Sequence, residues 1–407
     1  MTRRASLLFY CQHSLGMGHL VRSLTLAAGL SERFRVVFLN GGPLPVGMKI
    51  PDGVEIVNLP PLGLGLDGQL VSRDRRRTVE RAQSLRRRII LETYRRLRPQ
   101  VVFVELFPFG RKKFTGELLP LLEAARDVRP FRTLICCSLR DILVGKKSHQ
   151  QKHDERAVEI ANSYFDAIMV HSDPTFARLE ESLLSYTALR APVYYTGFVQ
   201  ADRKPFIEPA AKRRNQILVS AGGGLVGETL FRTAVEAYSL LRHANDLKVK
   251  IIAGPFLPEE AWQSLRAAAH GQTGLSIKRF VPDLCAEMRS SIASVSQGGY
   301  NTTLDILRSG VPALVVPFAD GAEDEQLKRA RRLEALGAIR VMEQQEMNAT
   351  RFAEEMRKLL HFKPQSLHLD LNGARNTTRI AESLIGEHQP KINTTISRVF
   401  NEREVHP

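Results

Sequence analysis

The chain has 407 residues, 43% hydrophobic and 25% charged, which is the balance of a soluble globular protein with room for two domains of ordinary size. Its formal net charge is +15, but it contains no nucleic-acid recognition motif, so we expect no nucleic-acid partner. No apolar run approaches the ~18 residues of a membrane span, and we therefore expect a cytoplasmic protein.

The cysteines and the start of the chain support this expectation. Cys11, Cys136, Cys137 and Cys285 show no C-x-x-C spacing and have no histidine at a metal-like offset. They are predicted to be reduced thiols in the core, and neither disulfides nor zinc ligands are expected. The opening MTRRASLLFYCQHS has a basic tip but only a short apolar run, which favours a first strand over a cleaved signal.

In the first half of the chain, short β-rich runs alternate with helical patterns. The predicted strands cover residues 7–10, 36–39, 54–57, 101–105, 133–137, 167–170 and 193–196. The predicted helices cover residues 19–33, 79–97, 117–126 and 155–164. This alternation predicts a parallel sheet with helices on both faces.

A glycine-rich loop, HSLGMGHLVR, follows the first predicted strand and contains Gly16, Gly18, His19 and Arg22. Glycines at this position allow a ligand to approach backbone N–H groups at a helix N-terminus, which suits phosphate. Glycine after a strand is also an ordinary turn. Histidine stands where a dinucleotide fingerprint would continue towards its third glycine, which argues against a dehydrogenase.

The segment between Arg73 and Arg98 concentrates positive charge. Residues 73–98 contain eleven arginines against Asp74, Glu80 and Glu92, and Val79, Leu85, Ile89 and Leu97 recur at near-helical spacing. This predicts one helix with an apolar seam and a basic face. The basic face is either an ordinary solvated surface or a contact for an anionic membrane or acidic acceptor.

A second series of predicted strands covers residues 217–220, 249–253, 275–280, 292–295 and 313–316. A charged, proline-containing stretch separates the two series and predicts a hinge. We therefore predict a first domain over residues 1–200, a hinge over 201–215, a second domain over 216–388 and a flexible tail over 389–407. Two doubly wound α/β domains would place the carboxyl ends of both sheets at one central cleft.

Two further glycine loops follow strands of the second half, SAGGGLVGET with Gly222, Gly223 and Gly224, and QGGYNTT with Gly298 and Gly299. Neither is a P-loop, because no Gly-Lys-Ser/Thr follows. Three such loops across two halves predict a ligand that carries a diphosphate, such as a nucleotide. In the third loop Asn301, Thr302 or Thr303 is expected to cap the next helix.

Acidic and amide side chains follow the same strands. Asp305 lies about one turn into the predicted helix, where it would bind ribose hydroxyls or simply complement the helix dipole. The loop VVPFADGAEDEQ, after a strand predicted to end at Phe318, contains Asp320, Glu323, Asp324, Glu325 and Gln326. Glu325 and Gln326 suit the hydroxyls of a sugar ring, although an acidic helix start is also ordinary.

The stretch GGYNTTLDILRSGVPALVVPF, with EDEQLKRARRLEALGAIRVM beyond it, resembles the carboxyl-terminal domain of glycosyltransferase family 28. GMGHLVR resembles the glycine–histidine loop of the same superfamily. ELFPFGRKKF and SLRDILVGKK are similar to a bacterial branch of predicted glycosyltransferases. The resemblance implies the GT-B fold, two Rossmann-like domains facing a central cleft, and a nucleotide sugar, with uridine as the base, held without metal by the second domain.

The resemblance also implies roles for single residues. Asp305 falls where the family grips the ribose, and Gln326 matches a glutamine that binds the donor sugar. Glu325 stands where the family has a second glutamine, so the identity of the sugar stays open. Gly298, Gly299 and Thr302 match the diphosphate side of the donor site, and Gly222–Gly224 the opposite glycine turn. Phe280 and Val281 lie where the family meets the base. Residues 372–385 resemble the terminal helix that crosses back to the first domain.

The chemistry so implied is inverting transfer, which needs an activated acceptor hydroxyl and a stabilised diphosphate leaving group. His19 is the predicted base, although a histidine here could instead cap the helix or bind the diphosphate. Glu105 is the alternative base, and Arg22 and Arg140 are predicted to hold an anionic acceptor or phosphate. A nucleotide-sugar hydrolase, an epimerase and a non-catalytic nucleotide-sugar binder remain alternatives.

Overall fold

The computed structural model describes residues 4–13, 18–45, 48–65, 68–127, 132–143, 149–200, 213–241, 246–318 and 324–388. Most of the predicted hinge, residues 201–212, and the whole predicted tail, residues 389–407, lie outside the described residues. So do Gly16, Asp320 and Glu323.

The first half of the chain forms a seven-stranded parallel sheet in the order β3-β2-β1-β6-β7-β8-β9. Its strands and a small antiparallel hairpin, β4-β5, are β1 (Ser6–Cys11), β2 (Arg35–Asn40), β3 (Val54–Asn58), β4 (Leu62–Leu64), β5 (Leu70–Ser72), β6 (Val101–Glu105), β7 (Leu134–Arg140), β8 (Ala167–His171) and β9 (Val193–Tyr195). Its helices are α1 (Gly18–Ser31), α2 (Val79–Leu97), α3 (Thr115–Arg126) and α4 (Gln150–Tyr164).

The second half forms a six-stranded parallel sheet in the order β12-β11-β10-β13-β14-β15. Its strands are β10 (Arg214–Ser220), β11 (Lys248–Ile252), β12 (Leu275–Lys278), β13 (Ser291–Ser296), β14 (Ala313–Val315) and β15 (Arg340–Val341). Its helices are α5 (Glu228–Leu241), α6 (Glu259–Ala269), α7 (Leu284–Arg289), α8 (Tyr300–Ser309), α9 (Glu325–Ala335) and α10 (Ala349–Leu359), and the chain continues into α11 (Gly373–His388). Short 3-10 turns cover Lys112–Phe114, Leu179–Glu181, Tyr186–Ala188 and Gln344–Glu346.

Each sheet is covered by apolar side chains on both faces. In the first sheet, Leu8 and Tyr10 point to one core and Leu7 and Phe9 to the other, following the two-residue period of a strand. In the second sheet, residues around Val219 face one core and residues around Leu218 the other. Burial of both faces explains why the strands read as continuous apolar runs.

Every predicted strand and helix of the two halves is present, with differences at the ends and in small elements. β14 ends at Val315 rather than Phe318, and β12 ends at Lys278, so Phe280 lies beyond the strand. The hairpin β4-β5 and the two-residue β15 were not predicted. They are too short to show a period of hydrophobicity, so the sequence pattern does not reveal them.

Helix α2 has the bounds predicted for it, residues 79–97, but the residues that it buries differ from the predicted apolar seam. Its buried residues include Ala82, Ile90 and Arg86, whereas Val79, Leu85, Ile89 and Leu97 are only half-buried. Arg86 donates to Glu117 Oε2 at 2.8 Å and to the Gly41 carbonyl oxygen at 2.8 Å. Arg86 is therefore a structural residue of the core, and in the sequence it cannot be told from the exposed arginines around it.

The two halves are joined by two neighbouring chain segments. Val199 pairs with Asn372 in an antiparallel bridge, and the Phe198 N–H donates to the Asp370 carbonyl oxygen at 2.7 Å. Helix α11 then packs its Ala381 and Leu384 into the core of the first sheet beside α1. The terminal helix thus returns to the first half of the chain.

All four cysteines are buried, as predicted, with unpaired thiols. None of the helices in the described part of the chain has the length and hydrophobicity of a membrane span.

Candidate active site

In the first sheet the strand order reverses between β1 and β6, and His19 and Glu105 lie at that point. The chain runs outward from β1 to β3 on one side and resumes at β6 on the other side of β1. The carboxyl ends of such neighbouring strands form a crevice where ligands bind in open α/β sheets. His19 opens the helix that follows β1, and Glu105 is the last residue of β6. Topology therefore brings together residues that lie 86 positions apart in the sequence.

His19 and Glu105 form a hydrogen-bonded pair. Nδ1 of His19 lies 2.5 Å from Oε1 of Glu105, which also accepts from Nη2 of Arg22 at 2.7 Å. The Glu105 side chain is fully buried, whereas the His19 side chain is 16% exposed. Nε2 of His19 has no hydrogen-bond partner among the described residues, so the ring keeps one nitrogen for a ligand.

The electrostatics of the pair favour a neutral imidazole beside an ionised carboxylate. Burial, together with the charges of Arg111 and Arg140, lowers the pKa of His19 to about 3 against the opposing effect of Glu105. The hydrogen bond from His19 and the charges of Arg111 and Arg22 hold the pKa of Glu105 below its ordinary value, although burial alone would raise it. An ionised Glu105 accepts from Nδ1–H, which leaves a lone pair on Nε2.

Arg22 was predicted to bind an anionic acceptor or phosphate, and its position does not support that role. Its side chain is 1% exposed and its guanidinium is bonded to Glu105. At this burial the side chain has almost no surface left for a ligand. It orients Glu105 instead.

Arg111 is a site residue that the sequence prediction missed. Nη2 of Arg111 lies 3.4 Å from Oε2 of Glu105, and the side chain is 14% exposed at the same crevice. Leu106 and Arg111 both adopt positive φ, 66° and 60°, which is uncommon for residues with a side chain and marks a constrained loop after β6. The signal available in the sequence was its place in ELFPFGRKKF directly after a strand.

In the second sheet the strand order reverses between β10 and β13, and two of the predicted glycine loops lie there. Gly222 follows β10 with φ +54°, and a Cβ on it would come 3.8 Å from the Thr302 hydroxyl in α8. Helix α8 begins after Gly299, which caps it without a side chain. A Cβ on Gly299 would meet open space. The uncovered start of α8 therefore presents N–H groups and positive helix-dipole charge to a ligand.

One prediction for these loops is wrong, and packing accounts for two of the glycines. Asn301, Thr302 and Thr303 lie inside the first turn of α8, so none of them is its N-cap. Gly224 is required by packing, because its φ is +90° and a Cβ would lie 2.1 Å from the Ala253 carbonyl oxygen. Gly298 likewise packs against Val315, at 3.1 Å. These two glycines need no ligand to explain them.

Other predicted donor residues surround the same edge. Asp305 lies on the second turn of α8, partly exposed, about one helix turn from the start of that helix. Phe280 is 59% exposed and Val281 is buried, both in the loop after β12. An exposed aromatic ring beside the glycine loops is suited to cover a nucleobase. Gly18 lies in the opposite half, and a Cβ on it would have no neighbour within 4 Å.

Glu325 and Arg140 bind each other across the cleft. Arg140 ends β7 in the first half, and its Nη1 donates to Oε1 of Glu325, the first residue of α9, at 2.7 Å. Each predicted ligand group is thus neutralised by the other. Gln326 uses Oε1 to accept the Phe318 N–H at 3.1 Å, and its Nε2 has no partner within the described ranges.

A second ion pair crosses the cleft beside the first. Arg329 donates from Nε and Nη2 to both carboxylate oxygens of Asp141, at 2.6 and 2.8 Å, and both side chains are buried. Its Nη1 donates to the Gly298 carbonyl oxygen at 2.9 Å. Asn301 Nδ2 also reaches the Gly18 carbonyl oxygen at 3.4 Å. The glycine loops of the two halves therefore face each other at hydrogen-bond range.

Within the described residues, no group of three or more His, Cys, Asp and Glu side chains is arranged to hold a metal ion. Asp320 and Glu323 of the acidic loop are not among the described residues.

Comparison with known proteins finds a family match in the second half of the chain. Residues 217–383 match the glycosyltransferase family 28 C-terminal domain. The chain is 27% identical over 184 residues to the UDP-N-acetylglucosamine–N-acetylmuramyl-(pentapeptide) pyrophosphoryl-undecaprenol N-acetylglucosamine transferase of Alkalilimnicola ehrlichii, covering 45% of this chain and 47% of the relative. The enzyme of the same name from Chromohalobacter salexigens is 29% identical over 171 residues, 42% of this chain and 46% of the relative. The chain thus spans about half the length of these curated relatives.

Solved structures match along nearly the whole chain. MurG from Acinetobacter baumannii superposes with a TM-score of 0.54 at 16% identity, covering 94% of this chain and 99% of that one. A protein described as a UDP-N-acetylglucosamine 2-epimerase from Listeria monocytogenes gives a TM-score of 0.62 at 13% identity, covering 96% and 99%. At this identity the likeness shows the fold. Together with the family match, it confirms the resemblance predicted from the sequence: the chain has the GT-B fold, and residues 217–383 are similar to the glycosyltransferase family 28 C-terminal domain.

Proposed function

We propose that the protein is a metal-independent, inverting glycosyltransferase that moves a hexose-type sugar from a UDP-linked donor to an acceptor hydroxyl. The observation that carries this proposal is the facing arrangement of the His19–Glu105 pair and the uncovered start of α8. The contact from Asn301 to Gly18, next to His19, places the two within reach of one small ligand.

In the reaction, Nε2 of His19 takes the proton of the acceptor hydroxyl while the oxygen attacks the anomeric carbon. The bond from that carbon to the donor phosphate breaks, and the diphosphate leaves with the bonding electrons. The N–H groups at the start of α8 and the loop at Gly222 stabilise the new negative charge. Glu105 keeps Nδ1 protonated and stabilises the imidazolium that forms, which is the task of the acid in a catalytic triad.

The donor is held by the second half of the chain. Asp305 accepts hydrogen bonds from ribose hydroxyls, Phe280 and Val281 border the base, and the free amide of Gln326 donates to the sugar. Glu325 reaches the sugar together with Arg140, so that this edge offers both an acceptor and a donor group. The pairing of these two residues supports a sugar contact at the pair in place of two separate contacts.

In this proposal the acceptor is bound by the first half, and the partly exposed Arg111 binds its phosphate or carboxylate. Helix α2 supports a membrane-bound acceptor, because Arg81, Arg88 and Arg95 recur at seven-residue spacing on its exposed face. In this proposal the protein is cytoplasmic and docks on the anionic inner face of the membrane.

Vesicle binding tests the docking step. Replacing Arg81, Arg88 and Arg95 by serine should abolish sedimentation with vesicles that contain phosphatidylglycerol, with little sedimentation on pure phosphatidylcholine in either form. The control removes the same charge from the exposed Arg232, Arg266 and Arg375 and should keep binding. Equal loss in both variants would show that only net charge matters.

A panel of nucleotides and nucleotide sugars in a thermal-shift assay tests the donor assignment. A ligand at 100 times its dissociation constant stabilises the folded state by about 2.7 kcal/mol. We expect UDP and UDP-sugars to raise Tm, and Asp305→Ala to reduce that rise. An unchanged Tm with every uridine nucleotide would remove the basis of the proposal.

The epimerase-like neighbour keeps one alternative open, and hydrolysis is another. Incubation with a UDP-sugar alone, followed by proton NMR, separates them. An epimerase converts the sugar while it stays on the nucleotide, and a hydrolase releases it rapidly. The proposed transferase does neither at a substantial rate until an acceptor is added, and a non-catalytic binder forms no product with any acceptor.

A further inference from the structure

Tyr300 is the first residue of α8, yet its surroundings belong largely to the other half of the chain. Its hydroxyl donates to the His171 carbonyl oxygen at 3.0 Å and accepts the Val199 N–H at 2.9 Å. The side chain is buried, with Phe198 5.8 Å away between ring centroids. The start of the proposed diphosphate-binding helix is therefore anchored on the end of β8 and on the crossover.

The ring of Tyr300 also lies against two guanidinium groups. The Cζ atom of Arg22 lies 5.3 Å from the ring centroid, and that of Arg329 lies 5.8 Å away. Both are within the range of a cation–π contact, which strengthens when the partners are desolvated. The Arg22 side chain is almost completely buried, and the Tyr300 ring forms one side of the space that holds its guanidinium.

These contacts form a continuous connection from α8 to the ring of His19. Tyr300 touches Arg22, Arg22 donates to Oε1 of Glu105, and the same oxygen accepts from Nδ1 of His19. Each step is a hydrogen bond or a packed contact, and the side chains of Tyr300, Arg22 and Glu105 are buried.

We propose that Tyr300 is a positioning residue whose ring holds Arg22 on Glu105, so that His19 is oriented for catalysis only while the donor-binding helix is docked on the first domain. This inference rests on the proposed function, because it assigns Tyr300 the task of linking donor site and base. Tyr300 acts through Arg22 and Glu105 and touches no reacting atom.

The charges around His19 determine what loss of the ring should do. Glu105 from β6 faces it, with Arg22 from α1, Arg111 from the loop after β6 and Arg140 from the end of β7. The thiol of Cys11 lies near the backbone oxygen of His19. If Arg22 moves away, the negative charge of Glu105 is less compensated, and protonation of His19 becomes more favourable. His19 would then titrate at higher pH because of the charge of Glu105, and its Nδ1–H proton would exchange faster because Arg22 no longer fixes the Glu105 carboxylate.

Histidine-labelled NMR reads this out without acceptor or donor. In the wild-type protein, we expect a downfield Nδ1–H proton from His19 and a neutral ring between about pH 5 and 8. His19→Gln assigns the signal. Tyr300→Phe keeps the ring and should retain both features, whereas Tyr300→Leu should lose the downfield proton and bring the His19 titration into this range.

The two variants are matched, because both remove the hydroxyl contacts to His171 and Val199 and only one removes the ring. In turnover assays the acid limb of kcat/KM should move to higher pH in Tyr300→Leu alone. A folded Tyr300→Leu protein with a wild-type His19 spectrum would overturn the proposal. So would a Tyr300→Phe variant that behaves like Tyr300→Leu, since the hydroxyl would then be the operative group.

A second variant covers the case in which Tyr300→Leu does not fold. Arg22→Gln removes the charge that the Tyr300 ring is proposed to hold on Glu105, and it should change the His19 spectrum in the same direction. A wild-type spectrum in Arg22→Gln would contradict the proposal. Failure of the proposed function is distinguishable, because it would appear as absent UDP binding while the His19 spectra still follow Tyr300.

Discussion

His19 and Glu105 meet at a distance of 2.5 Å between Nδ1 and Oε1, but only His19 has exposed surface in the crevice. Glu105 was predicted as an alternative base, and its complete burial behind His19 does not support direct contact with an acceptor. Its carboxylate accepts from three cationic or ring groups instead. We therefore assign the proton transfer to His19 and its orientation to Glu105.

Replacement of the two residues should separate these roles. His19→Ala is expected to lower kcat by a factor of about 10² to 10⁴, the usual contribution of a general base. The rise in Tm with UDP should stay the same, because the base lies on the opposite half from the donor site. Loss of UDP binding with turnover preserved would make His19 a diphosphate-binding residue.

Glu105→Gln is the companion test. Glutamine can still accept from Nδ1, but it removes the charge that favours the imidazolium, so kcat should fall less than in His19→Ala. The pKa of His19 should fall further, because the attraction of Glu105 is the main effect that raises it. Equal and complete inactivation in both variants, with both proteins folded, would point to Glu105 as the base.

Acid should destabilise the protein in two overlapping ranges. The pKa of His19 is about 3 when folded against an ordinary 6.5, so the unfolded chain binds more protons between these values and stability falls as pH drops below about 6.5. The pKa of Glu105 is also lowered from 4.5, which removes further stability below that pH. Urea unfolding between pH 4 and pH 8 measures the slope.

His19→Gln gives the reference for this measurement. It should flatten the part of the slope between about pH 4.5 and 6.5. His13 and His171 are also held neutral by burial, so part of the slope should remain. A slope identical to that of the wild type would contradict the depressed pKa of His19.

The alternation of strands and helices was sufficient to predict both sheets and, with them, the place of the site. Once two parallel sheets are expected, the loops after β1 and β13 become candidates, and His19 and Gly299 lie there. The roles of Arg22 and Arg86 could not be predicted, because a buried arginine looks like a surface one until its carboxylate partner is located. Glu105 and Glu117 are those partners, and both are distant in sequence.

The contacts between the two halves could not be predicted from the sequence pattern either. Arg140 and Asp141 lie next to each other, and Glu325 and Arg329 lie one helix turn apart, so each pair matches the other in charge. The match is visible only when β7 and α9 are placed opposite one another. For the same reason, Asn301 was predicted to be a cap and instead contacts the facing loop.

The buried pair Arg329–Asp141 should couple the stability of the two halves. Arg329→Met leaves the Asp141 carboxylate unpaired in the interior and should cost about 3–5 kcal/mol. The double variant Arg329→Met with Asp141→Leu removes both charges and should be more stable than Arg329→Met alone. Denaturant unfolding of the wild type, Arg329→Met, Asp141→Leu and the double variant gives the coupling energy, and strict additivity would show that the pair does not interact.

Glycine-to-alanine variants should separate the glycine that faces the ligand from the one required by packing. Gly299→Ala puts a methyl group into the open space before α8, so unfolding free energy should change by about 1 kcal/mol or less. UDP affinity should fall at least about tenfold, or 1.4 kcal/mol. Gly224→Ala meets the Ala253 carbonyl oxygen at positive φ and should destabilise the fold by about 2–5 kcal/mol. Gly116→Ala, in α3 and equally open, is the control that should change neither quantity adversely. If Gly299→Ala keeps full UDP affinity, the diphosphate does not bind at the start of α8.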